Sequence, residues 1–223
     1  MKIGSFYLLK YQLSDLKTHC VLNEEDILKL RKKFEILFID DEEIAYLENL
    51  KSNGFNVTYK TNITDIKDVS AYDIIMCDIN GVGEALGKDG ASMAAQIKNV
   101  YPNKVVISYS AALHSFTYQK TLEFVDKRIP KGTSIEDWLN LLDEIIEENS
   151  NPIRVWNKTE QKLLKANIST REIAELESKY VEAIIKEKFN SLEKLSNSGN
   201  VIQILKTTIP FLIQILKTIQ AGS

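Results

Sequence analysis

The sequence predicts an α/β protein: a doubly wound, five-stranded parallel sheet followed by a smaller all-helical domain. Three observations carry that prediction. Apolar runs short enough to be buried strands alternate with helical stretches between residues 34 and 148, the pattern that builds a parallel sheet. Acidic, hydroxyl and amine residues follow four of those runs, at the carboxyl ends where open α/β sheets place their functional groups. After Asn149–Pro152 (Asn-Ser-Asn-Pro) strand signals stop and only helical periodicity continues.

Residues 1–33 form an extension ahead of the first clear strand. Within it Ile3–Leu9 is a strand candidate, and Asn23-Glu24-Glu25 opens a short basic helix ending near Lys33. Strand 34–39 comes next, then helix 42–52 capped by Gly54, strand 55–60 and a short helix around 64–70. Strand 73–77 leads into the Gly-rich loop 81–90 and helix 90–100, with Pro102 beyond its end. Strand 104–108, a weak helix near 113–120, strand 124–129 and helix 134–148 complete five β/α units. Ser134 with Asp137 three residues later approaches a capping box. Right-handed crossovers between parallel strands make such a sheet flavodoxin-like. In the remainder, Ser169 with Glu172 opens a helix from about 170 to 190, which buries Ile173, Leu176, Tyr180 and Ile184. Ser196–Asn200 interrupts the chain before a last apolar helix, Val201–Ile219. The predicted domains are therefore an extension at 1–33, a sheet domain at 34–150 and a helical output or dimerisation domain at 151–223.

Composition excludes little but is informative in its distribution. The 223 residues are 44% hydrophobic and 26% charged, with a formal charge of −3, which is ordinary for a globular chain and makes no general case for nucleic acid or membrane binding. The charge is divided, however. Through Ser150 there are 17 Lys and Arg against 24 Asp and Glu; beyond it there are 11 against 7. Cys20 and Cys77 are the two cysteines, and Cys77 falls in a predicted buried strand, so no disulfide framework is expected. Ser14–His19 interrupts any apolar N-terminal run, so a signal peptide is not expected and a cytoplasmic location is.

The residues at the strand ends are Asp40-Asp41, Asp78, Ser110 and Lys131. Three carboxylates, a hydroxyl and an ammonium converging on one rim make a divalent-metal and phosphoryl-transfer constellation. The segments FEILFIDDEE (34–43), YDIIMCDIN (72–80), KVVISYSA (104–111) and RIPKGTSIEDWLNLL (128–142) resemble, in order and spacing, the receiver domain of two-component response regulators. The resemblance covers roughly 34–148. It implies that Asp78 accepts a phosphoryl group from a histidine kinase, a phosphotransfer protein or a small donor. It further implies Mg²⁺ held by Asp41 directly, by Asp40 through water, by Asp78 and by the Asn80 carbonyl, while Ser110 and Lys131 contact the phosphoryl oxygens. No enzymatic activity beyond self-phosphorylation and autodephosphorylation is implied.

Three features depart from that pattern. Arg128 stands three residues before Lys131, where an aromatic is usual; Gly132 replaces the usual proline; and the loop after Asp78, GVGEALGKDG, is long and lacks Met-Pro. Gly81, Gly83 and Gly87-Lys88 also suggest a phosphate-cradling loop, but Val82 occupies the required glycine position and Asp89 the required hydroxyl position. His114, past Ser110, and His19 suggest no second active site.

The last helix repeats IQILKT at 202–207 and 213–218. Eleven residues make almost three turns, so both copies share a face, with Lys206, Pro210, Gln214 and Lys217 opposite. Core or dimer packing is the leading expectation, ahead of docking to a partner protein and interfacial membrane binding; a transmembrane span is excluded by its polar residues. Residues 168–189 begin like a helix-turn-helix, but Ser178 lies between Glu177 and Lys179 rather than at an apolar turn, which favours one helix and argues against DNA. Behind the phosphorylation reading stand a non-catalytic receiver-like scaffold for dimerisation or partner binding and, further back, a DNA-binding transcription regulator.

Overall fold

The computed structural model describes residues 10–19, 21–86, 89–110, 121–195 and 202–220. It divides into two compact units, Leu28–Glu144 and a second made of Met1–Ile27 with Ile145–Ser223. The division falls inside a helix, a few residues before the Asn149–Pro152 break, and it assigns most of the N-terminal extension to the helical unit.

In the sheet unit, strands β1 (Glu35–Ile39), β2 (Asn56–Lys60), β3 (Ile74–Asp78), β4 (Val105–Ser110) and β5 (Lys127–Pro130) are all parallel, in the order β2-β1-β3-β4-β5. That order is the flavodoxin-like doubly wound arrangement expected from the sequence. The central strands β3 and β4 are buried at every position, as their continuous apolar runs require when helices cover both faces. On one face Leu37, Ile39, Ile75, Cys77 and Val106 pack with Met93 and Ile97 of helix α3 (Gly90–Val100). On the other, Phe38 and Tyr109 meet the edge of Trp138, on helix α4 (Ile135–Ser150), at ring-centroid distances of 6.0 Å. Helix α1 (Glu24–Lys33) contributes Arg31, whose guanidinium grips both oxygens of Asp143 at 2.7 and 2.5 Å.

Several boundaries differ from expectation. Helix α2 runs only over Leu47–Ser52, not from 42. The Glu42 carbonyl accepts the Tyr59 hydroxyl at 3.0 Å and the Glu42 N–H donates to the Asp40 side chain at 2.9 Å, so this backbone is held in a turn before a helix can start. Strand β5 begins at Lys127, because Thr121–Phe124 forms a 3₁₀ turn first. The helix expected near 113–120, His114, Cys20 and the Gly87-Lys88 pair lie outside the described residues.

The helical unit contains a 3₁₀ segment, Leu13–His19, with helices α5 (Pro152–Lys165), α6 (Thr170–Ile185), α7 (Phe189–Leu195) and α8 (Ile202–Gln220). Their common core includes Leu16, Trp156, Tyr180, Leu192 and Leu212. The Trp156 and Tyr180 rings lie 4.8 Å apart, Trp156 donates to Glu177 at 2.9 Å, and Tyr180 donates to the Pro152 carbonyl at 2.8 Å. Both aromatics thus bury their rings and satisfy their polar ends. Helix α6 stops at Ile185 rather than near 190: Glu187 adopts φ +53 and the Lys188 N–H returns to the Ala183 carbonyl at 2.8 Å, closing the helix. Ser178 lies within that single helix. On α8, Leu205, Ile209, Leu212, Ile213 and Leu216 enter the core while Lys206, Pro210, Gln214 and Lys217 are exposed. Of the expectations for this face, core packing is the one seen within this unit. Among the described residues no helix is long and apolar enough to cross a membrane.

Candidate metal and phosphoryl site

Registered neighbours in a parallel sheet direct their side chains to the same face, and alternate residues return to that face. Phe38, Met76 and Ile107 are registered across β1, β3 and β4. Two residues further along each strand come Asp40, Asp78 and Tyr109, with Asp78 and Tyr109 directly paired. The sheet thereby sets two carboxylates and a phenol side by side at its carboxyl edge.

Asp40 and Asp78 are almost completely buried, whereas Asp41 is exposed. One carboxylate oxygen from each of the three lies within 4.8 Å of the others. Lys131, just past β5, places its ammonium 2.8 Å from Asp78 Oδ2, 3.3 Å from Asp40 Oδ1 and 2.9 Å from Glu42 Oε2. Burial pulls the Lys131 ammonium down, but the hydrogen bonds to Asp78 and Glu42 and the fields of Asp78 and Asp40 outweigh it, so the net shift is upward. The lysine is therefore held charged. Asp78 Oδ1 accepts the N–H groups of Ile79 at 2.6 Å and Asn80 at 3.3 Å. The Asn80 side chain donates to Ser110 Oγ at 3.4 Å, which brings the remaining expected residues to the same rim.

Two glycines fit the backbone to this site. Gly81 has φ +71, and a Cβ there would lie 2.1 Å from Asp41 Oδ2. A Cβ on Gly90, the first residue of α3, would lie 2.1 Å from the Asp78 carbonyl oxygen. Gly81 and Gly90 thus serve close packing around Asp41 and the end of β3. The loop returns to the sheet through the Gly90 N–H, which donates to the Ile79 carbonyl at 3.1 Å.

Two participants escaped the sequence reading. Glu42 supplies the third carboxylate around Lys131; the signal was its place directly after the acidic pair. Tyr109 donates to Asp40 Oδ2 at 2.8 Å from a fully buried position. Burial, then the Asp40 charge and that hydrogen bond, push its phenol far above the ordinary value, so it remains a donor. A tyrosine inside an otherwise apolar strand, one residue before Ser110, was the available signal. Arg128 is exposed on β5, and Gly132 is exposed with open space at its Cβ position.

No protein-family model matches the chain, and no curated protein matches it. Several solved structures are similar to it. One is a response regulator from Thermotoga maritima, 18% identical, covering 51% of this chain and 97% of that one with a TM-score of 0.42. Another is a response regulator protein from Burkholderia pseudomallei with a phosphorylated aspartic acid, a calcium ion and citrate (17% identity, 63% and 90% coverage, TM-score 0.41). A third is a CheY-like receiver domain protein from Methanospirillum hungatei (17% identity, 52% and 94% coverage, TM-score 0.42). The five parallel strands of the sheet unit, in the order β2-β1-β3-β4-β5, make a flavodoxin-like doubly wound sheet.

The donor set fits a hard divalent ion. Asp40, Asp41 and Asp78 offer only oxygen, as does the Asn80 carbonyl. Mg²⁺ takes such ligands octahedrally and retains several waters, so few protein oxygens suffice. Asp40 and Asp78 share the Lys131 ammonium in the structure. Adding a divalent ion would relieve the repulsion that one ammonium leaves among four acids.

Proposed function

We propose that the chain is a two-component response regulator in which Asp78 accepts a phosphoryl group, with residues 151–223 as its output. The observation that carries this reading is the Lys131 ammonium bridging Asp78 and Asp40, with Asp41 within ligand distance of both. An Asp78 carboxylate oxygen attacks the phosphorus of a phosphohistidine or small phosphodonor. The new O–P bond makes an acyl phosphate, and the bond to the leaving group breaks, with its electron pair departing on that group. In this reading Lys131 and Ser110 hold the transferred oxygens and the Ile79 and Asn80 N–H groups keep Asp78 aligned; the Lys131–Asp78, Asn80–Ser110 and backbone–Asp78 hydrogen bonds support it. Asp40, Asp41, Asp78 and the Asn80 carbonyl would hold Mg²⁺, which when bound neutralises charge on the phosphoryl oxygens. The protein partner that would supply a phosphohistidine is a histidine kinase or phosphotransfer protein.

Intact-mass spectrometry after treatment with a small phosphodonor and Mg²⁺ tests the reading. One phosphoryl adduct is expected, labile to hydroxylamine and absent from Asp78→Ala. Wild-type protein that takes up no phosphoryl group from a competent small donor or kinase would overturn it.

A further inference from the structure

Tyr109 lies outside the set of residues that the receiver resemblance assigns, yet it touches the most deeply buried acid of the site. Its hydroxyl donates to Asp40 Oδ2 at 2.8 Å. The other oxygen of the same carboxylate accepts the Glu42 N–H at 2.9 Å and the Lys131 ammonium at 3.3 Å. A carboxylate has about four lone-pair sites. Three donors leave Asp40 one acceptor direction, which suffices for a water bound to an ion but not for free rotation of the group.

The hydroxyl is itself held in place. The Tyr109 ring packs edge-on to Phe38 (6.0 Å, 64°) and to Trp138 (6.0 Å, 90°), and Trp138 stacks on Tyr46 at 5.5 Å. Four rings from β1, the turn before α2, β4 and α4 therefore locate one phenolic oxygen. Partners that hydrogen-bond to metal ligands from outside the coordination shell orient them, and their loss is felt in metal affinity.

We propose that Tyr109 is a positioning residue for the divalent ion, acting through Asp40. Its hydroxyl keeps the Asp40 carboxylate turned so that one acceptor site faces the ion's water shell. This inference rests on the Mg²⁺ site of the proposed function, and its test separates the two.

Isothermal titration of the full chain with MgCl₂ measures the affinity directly, with circular dichroism recording the fold of each variant. Tyr109→Phe keeps the ring and deletes one oxygen; its dissociation constant should rise about tenfold or more. Trp138→Phe loosens the same aromatic packing but leaves the Tyr109 hydroxyl in place, so it should weaken binding clearly less than Tyr109→Phe. In an Asp40→Asn background, adding Tyr109→Phe should change affinity by less than about twofold, because the residue acts through Asp40. The proposal is overturned if Tyr109→Phe binds Mg²⁺ like the wild type, if Trp138→Phe weakens binding equally, or if the Asp40 and Tyr109 effects add. A wild-type chain that binds no Mg²⁺ removes the ion site and this inference together, whereas loss of the Tyr109 effect alone leaves the phosphorylation reading standing.

Discussion

Gly81 shows how much of the site is decided by single residues. Its positive φ and the 2.1 Å separation between a hypothetical Cβ and Asp41 Oδ2 leave no room for a side chain. Gly81→Ala is expected to cost about 1 kcal/mol or more of stability, since alanine is strained at positive φ. It should also weaken Mg²⁺ binding by displacing Asp41. Urea unfolding and a Mg²⁺ titration check both effects, and an unchanged unfolding midpoint would count against the close contact. The acids and Lys131 were legible in the sequence because chemistry at strand ends is a local signal. Tyr109 and Glu42 were not, because their roles depend on which side chain lies across the sheet edge: 2.8 Å to Asp40 in one case, 2.9 Å to Lys131 in the other.

At the scale of elements, the caps and apolar periods were readable and some boundaries were not. Ser134 exchanges hydrogen bonds with Asp137, and Ser169 accepts the Glu172 N–H at 3.2 Å, as their spacing suggested. Helix α2 starts late because Tyr59, from the neighbouring strand, claims the Glu42 carbonyl; no local propensity records that competition. The junction between α4 and α5 rests on Asn151, whose side chain accepts the N–H groups of Ile153 at 3.0 Å and Arg154 at 3.2 Å, with Pro152 at the first helical position. Asn151→Ala should therefore lower stability by about 1 kcal/mol, the usual cost of losing such a cap. A thermal melt matching wild type would show that water replaces the cap without loss.

Over the whole molecule, the N-terminal segment changes meaning. The sequence sets residues 1–33 apart as an extension, whereas Leu16 is fully buried in the core of the helical unit beside Trp156 and Tyr180. The Tyr11 N–H approaches Ser178 Oγ at 3.4 Å and the Leu13 N–H donates to Glu177 at 3.3 Å, tying the segment to α6. Leu16→Ala should destabilise the helical unit by about 2–5 kcal/mol through the cavity it leaves. Hydrogen exchange should then quicken across α5, α6 and α8 while β1, β3 and β4 keep their protection. Equal loss of protection in both units would mean that they unfold as one.

By itself the sequence indicated the five-stranded alternation, the helical remainder and the strand-end residues Asp40, Asp41, Asp78, Ser110 and Lys131. These follow from periodicity and from residue types at strand ends, which neighbours in the chain specify. Only the tertiary structure decided that Tyr109 holds Asp40, that Gly81 yields space to Asp41, and that Leu16 and the apolar face of α8 close one helical core. Those contacts join residues far apart in the chain, and strand register and helix packing, not local propensity, bring them together.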